Sequence, residues 1–156
     1  MKKFIYTTFL LLSLCFTACE KNPENGDLDG QWQLMEISLK ETPSDADYTF
    51  VKSCKEEKIY WRFQLDLLMI HSSVEPLNGY TYDTSARFIH QNNQLDITQT
   101  YIHMDTRGDS LITDQNTHIL SGIGIDGNAE KFNVEKLNNK QMILSTNVKR
   151  LRFRKF

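Results

Sequence analysis

From residue 30 to the C-terminus, apolar and polar residues alternate in short runs that favour β-strands. In the clearest run, Ile59, Trp61, Phe63 and Leu65 alternate with Tyr60, Arg62, Gln64 and Asp66. Other apolar runs lie within 32–39, 67–71, 80–88, 95–101, 119–125, 132–134, 142–144 and 151–153. Turn sequences such as "HQNNQ", "DGN", "LNNK" and "TNVK" separate them. Short alternating runs joined by Asn- and Gly-rich turns predict an all-β meander.

The first predicted strand changes phase along its length. Trp32 and Leu34 share one phase, whereas Met35, Ile37 and Leu39 share the other. Since neighbouring residues of a strand point to opposite faces, this change predicts a β-bulge or a strongly curled strand.

Two segments lack a strand-like alternation. Residues 41–57 predict either a short helix or a long excursion over one end of the fold. Residues 103–117 are polar and predict a loop, with a short strand near Leu111 and Ile112.

The N-terminus has the pattern of an export signal. Two lysines precede the run "FIYTTFLLLSLCF", which is too short for a membrane-spanning helix. The following "FTAC" resembles a bacterial lipobox, and this resemblance implies cleavage before Cys19 and diacylation of that cysteine. The alternative is an ordinary secretory signal that is cut elsewhere.

This interpretation divides the chain into a lipoprotein signal peptide (1–18), a lipidated cysteine with a flexible tether (19–27) and one domain (28–156). The tether "EKNPENGD" contains no apolar residue to bury. We expect an exported protein held at a membrane by its N-terminal acyl chains. Glu20 is not the aspartate of the known inner-membrane retention signal, which favours the outer membrane.

The charge and the cysteine content argue against nucleic-acid binding and against a disulfide bond. Without Lys2 and Lys3 the chain has 16 basic and 20 acidic residues, a net charge of −4, which argues against nucleic-acid binding. Cys15 leaves with the signal peptide and Cys19 carries lipid, so Cys54 has no disulfide partner.

No catalytic or metal-binding motif emerges from the reactive residues. Cys54 has no histidine near it in the sequence and is interpreted as a stray thiol. His71, His90, His103 and His118 lack the local spacing of metal ligands. We therefore predict no cofactor, no metal and no enzymatic activity. The tripeptide Asp109-Ser110-Leu111 matches a three-residue bacterial O-glycosylation sequon. The alternative is that this short match arises by chance.

The chain also has two features that are similar to lipocalins and to bacterial lipocalin-like lipoproteins. These are the Gly-x-Trp of Gly30 and Trp32, and the basic final strand "RLRFRKF". The resemblance implies a single antiparallel up-and-down β-barrel of about eight strands. It implies that Trp32 closes one end and that an arginine, Arg152 or Arg154, covers its indole ring. A smaller family of exported barrels that open with Gly-x-Trp-x-Leu is the alternative.

Two functions remain open after this comparison. The barrel could bind a small apolar or aromatic molecule, with Trp61, Phe63, Tyr80 and Tyr82 lining the cavity. Segment 41–57, which carries Tyr48 and Phe50, would then gate the end opposite Trp32. Alternatively, the interior is filled by its own side chains and the protein serves as an interaction module of the cell envelope with an unknown protein partner.

Overall fold

A computed structural model describes residues 24–72, 83–104, 108–113, 120 and 122–156. Predicted site residues Cys19, Tyr80 and Tyr82 lie outside this range. Within it, the chain forms ten β-strands, and a short 3-10 turn, Gly26–Leu28, precedes the first of them. The strands are β1 Gly30–Leu39, β2 Phe50–Ser53, β3 Ile59–Gln64, β4 Leu67–Ser72, β5 Thr84–Gln91, β6 Gln94–Met104, β7 Gly108–Leu111, β8 Glu130–Leu137, β9 Gln141–Ser145 and β10 Lys149–Lys155.

The strands form one closed antiparallel sheet. Its order is β10-β9-β8-β6-β5-β4-β3-β1, and β1 pairs again with β10 to complete the ring. Strands β2 and β7 pair with β1 and β6, respectively. Eight strands therefore make the ring, which confirms the predicted all-β, up-and-down barrel of about eight strands.

The two additional strands are continuations of ring strands. β2 pairs with residues 36–39 of β1, and β3 pairs with residues 30–33 of the same strand. In the same way, β7 pairs with residues 101–104 of β6 and β8 with residues 94–97. One side of the wall is thus interrupted between β2 and β3, and the other between β7 and β8.

Tight turns gather at the end of the barrel where β1 begins. β3 and β4 are joined there through Leu65, which has φ 57°, and β5 and β6 through Asn92 and Asn93, with φ 51° and 60°. Asparagine tolerates this left-handed backbone well, as a two-residue hairpin requires. The opposite end holds the longer connection 40–49 between β1 and β2.

β-Bulges change which residues face inward. The predicted phase change in β1 is confirmed by a register shift between Leu34 and Glu36. A second shift lies in β6, where Phe88 pairs with Ile97 but Arg87 pairs with Gln99. The extra residue flips the inward face to Thr100 and Ile102, so the simple alternation predicted for the run 95–101 does not continue past the bulge.

Three other predicted segments differ from the structure in whole or in part. The described part of 119–125 contains no strand, although Leu120, Ile123 and Ile125 are fully buried. Segment 41–57 contains no helix; its residues 41–49 are irregular and β2 follows. In the described part of 103–117, β6 extends to Met104 and β7 occupies 108–111, so this part contains more strand than predicted.

Ion pairs on the outer wall join side chains from different strands and turns. Examples join Arg87 to Asp66 at 2.6 Å, Lys131 to Asp96 at 2.8 Å and Arg150 to Glu135 at 2.6 Å. In these pairs, carboxylates compensate the positive charge of basic side chains on the outer wall. Among the described residues, no helix is long and apolar enough to cross a membrane.

Candidate functional site

The end of the barrel at which β1 begins is closed by Trp32 and the turn before it. Trp32 is fully buried, and its indole Nε1 donates a 2.7 Å hydrogen bond to the carbonyl oxygen of Leu28. Leu28, in the 3-10 turn, is also buried. Asn25 ties this turn to the β3–β4 turn by donating to the Leu65 carbonyl at 2.7 Å. We refer to this end as the Trp32 end.

A lysine supplies the cation over the Trp32 ring. Lys155 is the cross-strand partner of Trp32, and its Nζ lies 4.9 Å from the ring centroid. The same Nζ donates to the Asp27 carbonyl at 2.7 Å. A Cβ at Gly30 would meet Lys155 Cε at 3.3 Å, and Gly30 has φ 114°. Gly30 therefore provides both the backbone conformation and the space that this arrangement needs.

The predicted covering arginines, Arg152 and Arg154, do not contact Trp32. Arg152 pairs with Glu36 at 2.6 Å, and Arg154 donates to Gln33 Oε1 at 2.9 Å. Both arginines lie on the phase opposite Leu151 and Phe153, and that phase faces outward. The sequence prediction chose the wrong phase of β10, since Lys155 shares the phase of the inward-facing residues.

An aromatic layer crosses the interior next to Trp32. The Trp61 ring lies 5.0 Å from that of Phe153 and 6.3 Å from that of Phe132, measured between centroids. Phe63 lies 6.2 Å from Trp61 and 5.2 Å from Phe88. These side chains come from β3, β5, β8 and β10. The predicted ligand-binding residues Trp61 and Phe63 are thus brought together and pack against other core side chains.

Trp61 retains one unpaired polar atom. Its side chain is fully buried, yet its Nε1 has no hydrogen-bond partner in the described structure. A buried donor without a partner costs about 1–3 kcal/mol relative to a paired one.

The half of the barrel away from Trp32 is filled in part by the described residues between β7 and β8, namely 112–113, 120 and 122–129, which we call the inner segment. Its buried members are Ile112, Leu120, Ile123 and Ile125. A Cβ at Gly124 would lie only 2.9 Å from Leu151 Cδ1, and Leu151 is an inward residue of β10. The inner segment therefore runs against the inside of the wall.

The inner segment leaves and rejoins the wall at one residue of β6. Ile112 N–H donates to the Thr100 carbonyl at 2.9 Å. Thr100 in turn donates its backbone N–H to Asn128 Oδ1 at 3.0 Å and its hydroxyl to the Asn128 carbonyl at 2.9 Å. Thr100 is inward-facing because of the β6 bulge, so the bulge makes this attachment possible.

A buried lysine holds the inner segment to β8 and β10. Only 2% of the Lys149 side chain is exposed, and its Nζ lies 2.9 Å from Asp126 Oδ2 and 2.8 Å from Glu130 Oε1. The ammonium group also lies 5.4 Å from the Phe132 ring centroid. Glu130 accepts a further hydrogen bond from the Asp126 backbone N–H at 2.9 Å. Buried charges require such partners.

The two aromatic residues of segment 41–57 do not enter the interior, although Cys54 of this segment is buried in the core. Tyr48 lies between Lys40 and Arg150, 5.3 Å and 5.9 Å from its ring centroid, on the outer side of β10. Partial burial there raises the pKa of Tyr48. Phe50 is 52% exposed. The predicted gate is therefore misassigned, because the inner segment occupies the interior at that end.

Sequence reasoning missed Lys149, Asp126 and Glu130. A signal was available for Lys149, since it shares the alternating phase of Leu151 and Phe153 and so had to face inward. No local pattern connects it with the two carboxylates.

The cysteine and histidines do not form a reactive centre in the described residues. Burial raises the pKa of the Cys54 thiol to about 11, which disfavours the nucleophilic thiolate. His71 and His103 pair with Asp83 and Asp109 at 2.5 Å and 2.8 Å on the exposed surface. Within the described ranges, no three His, Cys, Asp or Glu side chains are arranged to hold a metal ion.

Comparisons with known proteins agree with this architecture. A lipocalin-like protein from Bacteroides uniformis has the same fold, with a TM-score of 0.58 and 19% identity over 84% of this chain and 100% of that chain. A protein from Bacteroides eggerthii has a TM-score of 0.54 and 19% identity, over 83% of this chain and 99% of that chain. No curated protein matches. The family model described as "Lipocalin-like domain" matches residues 14–156. The chain therefore belongs to the family of lipocalin-like domains.

Proposed function

We propose that this protein binds a small apolar or aromatic molecule inside its barrel. Lipocalin-like domains are in general non-enzymatic barrels, and their fold suggests ligand binding. The observation that supports a binding role most is that the inner segment supplies part of the apolar filling in the half of the barrel away from Trp32. Ile123 and Ile125 belong to this segment, whereas other buried apolar residues, such as Ile102 and Leu151, belong to strands of the wall.

Apolar residues of the inner segment can leave the interior more easily than those of the wall strands can. Removing a strand side chain from the interior would break the ring of hydrogen bonds. The inner segment leaves and returns at Thr100, so its movement would keep the ring strands paired. The ligand would take the volume that Ile123 and Ile125 fill, with the aromatic layer as its floor. Trp61 Nε1 would offer a donor to an acceptor atom of the ligand.

Binding of the uncharged probe N-phenyl-1-naphthylamine tests this proposal. We expect saturable binding, and tighter binding by Ile125→Ala, because truncation leaves apolar volume in the interior. Ile89→Ala is the matched control, since Ile89 is 51% exposed on the outer wall and its truncation opens no interior space. Failure of the wild type and Ile125→Ala to bind the probe would contradict the proposal.

We further propose that the barrel is anchored in the cell envelope through acyl chains on Cys19, at the outer membrane. "FTAC" supports lipidation, and the tether joins the fold at the Trp32 end. The opposite end, with the longer connection 40–49, would then face away from the membrane. Cys19→Ala should move the protein from the membrane pellet to the soluble fraction, because two acyl chains suffice for stable anchoring. Retention of the variant in salt-washed membranes would contradict this anchor.

The second candidate is a filled barrel that acts as an envelope interaction module. The contacts of Trp61 with Phe132 and Phe153 favour it, because they leave that layer of the interior occupied. A wild-type protein that binds no apolar probe would support this candidate.

A further inference from the structure

The inner segment contacts the barrel wall through a carboxylate and through apolar side chains that are adjacent in the chain. Asp126 directs its carboxylate to Lys149 Nζ at 2.9 Å, while Ile123 and Ile125, just before it in the chain, are fully buried. This pairing of an anionic group with adjacent apolar groups is the chemistry of an amphipathic organic acid.

The wall that receives this segment is built from residues of the ring. Lys149 and Glu130 are the inward-facing first residues of β10 and β8, and Phe132 follows on β8. Lys149 is buried, so its charge has to be compensated by anionic partners. With Asp126 in place the three side chains have a net charge of −1, and without Asp126 the two wall residues are neutral. A bound carboxylate would restore the original balance.

The exposure of the three groups shows which partner is replaceable. The Asp126 side chain is 63% exposed, whereas that of Glu130 is 14% exposed. Asp126 thus approaches Lys149 from the solvent side, and Glu130 belongs to the wall. The same solvent side is the route by which a ligand would reach the ammonium group.

We propose that residues 123–126 occupy the barrel as an internal substitute for the ligand, and that the ligand is an apolar molecule with a carboxylate head. This inference rests on the proposed binding function. The ligand carboxylate replaces Asp126 at Lys149, and its apolar part replaces Ile123 and Ile125. Asp126 and the ligand carboxylate compete for Lys149, so the inner segment lowers the apparent affinity of the barrel for the ligand.

A matched pair of probes tests the inference: 11-(dansylamino)undecanoic acid and its methyl ester. Asp126→Asn removes the competing charge at a site of similar shape. We expect it to bind the acid about tenfold more tightly than the wild type does, because a hydrogen bond to a charged group is strong. The ester should gain less than about threefold.

A second pair of variants removes or keeps the wall cation. Lys149→Met combined with Glu130→Gln leaves no unpaired buried charge, and it should abolish the preference for acid over ester. Lys149→Arg keeps the charge and should retain that preference. Lys131→Met is the control on the outer wall, where Lys131 is 76% exposed. If the double variant does not fold, the acid and ester affinities of Asp126→Asn still test the inference.

The outcomes separate the two levels of the argument. If both probes bind but Asp126→Asn affects acid and ester equally, the inference is overturned and the binding function stands. The same conclusion follows if the double variant keeps its preference for the acid. If neither probe binds any of the proteins, both the inference and the proposed function are overturned.

Discussion

At the scale of single residues, the Gly-x-Trp sequence is explained by a third residue, Lys155. Trp32 fills the end of the barrel, Lys155 crosses its ring, and Gly30 leaves room for the lysine stem. The lysine also binds the Asp27 carbonyl, so the turn that precedes β1 is fastened to the last strand. The first and last strands of the ring are therefore joined by side chains as well as by backbone hydrogen bonds.

Lys155→Met should destabilise the fold more than Arg154→Met. The first substitution removes a cation–π contact, worth about 0.5–2 kcal/mol, and a hydrogen bond to a backbone carbonyl. The second removes a contact with Gln33 on the outer wall, where polar pairs contribute little. Urea unfolding followed by tryptophan fluorescence compares the two. A larger loss of unfolding free energy in Arg154→Met would show that the arginine carries this role.

Cys54 should make stability depend on pH in the alkaline range. Its folded pKa of about 11 lies above the ordinary value of 9.0, chiefly because of burial. The unfolded thiol ionises first, so the contribution is fully present below pH 9 and is lost as the pH rises towards 11. Between pH 8 and 11, the wild type should therefore lose more unfolding free energy than Cys54→Ala. Parallel pH profiles of the two proteins would contradict this assignment.

At the scale of elements, the inner segment shows how an alternating pattern can mislead. Ile119, Ser121, Ile123 and Ile125 alternate as a strand would, but Gly124 has φ 92°, which a β-strand excludes. Two glycines in this short run were the available warning. The apolar residues of this run are explained by their burial in the barrel and not by membership of a paired strand. The inward turn of Thr100 was hidden for a related reason, since a bulge has no sequence signature in "DITQTY".

Gly124→Ala should be much more destabilising than Gly108→Ala. Both glycines have positive φ values, 92° and 74°, so both substitutions strain the backbone by about 1–2 kcal/mol. Only at Gly124 would the new Cβ collide with another side chain, Leu151, and overpacking adds about 1–3 kcal/mol. Unfolding free energies from urea titrations measure the difference. Equal costs would mean that the inner segment is not packed against β10.

At the scale of the whole molecule, the two ends of the barrel differ in construction. The Trp32 end combines tight turns with the 3-10 turn that precedes β1, and the other end holds the longer connection 40–49 and the inner segment. The alternation of residues and the Asn-rich turns were enough to predict the all-β meander, since both depend on neighbours in sequence. The closed barrel was predicted from the resemblance of Gly30, Trp32 and the last strand to lipocalins. The Lys149–Asp126–Glu130 contacts could not be predicted, because they join β10 to residues about 20 positions away through a non-repetitive path.

The central claim is that the inner segment occupies the ligand site. Isoleucine methyl NMR spectra during titration with N-phenyl-1-naphthylamine test it most directly. The account predicts saturable shifts for Ile123 and Ile125, with the Ile89 methyl group on the outer wall unchanged. Shifts confined to Ile89 or to other surface methyl groups, with those of Ile123 and Ile125 unmoved at saturation, would contradict it.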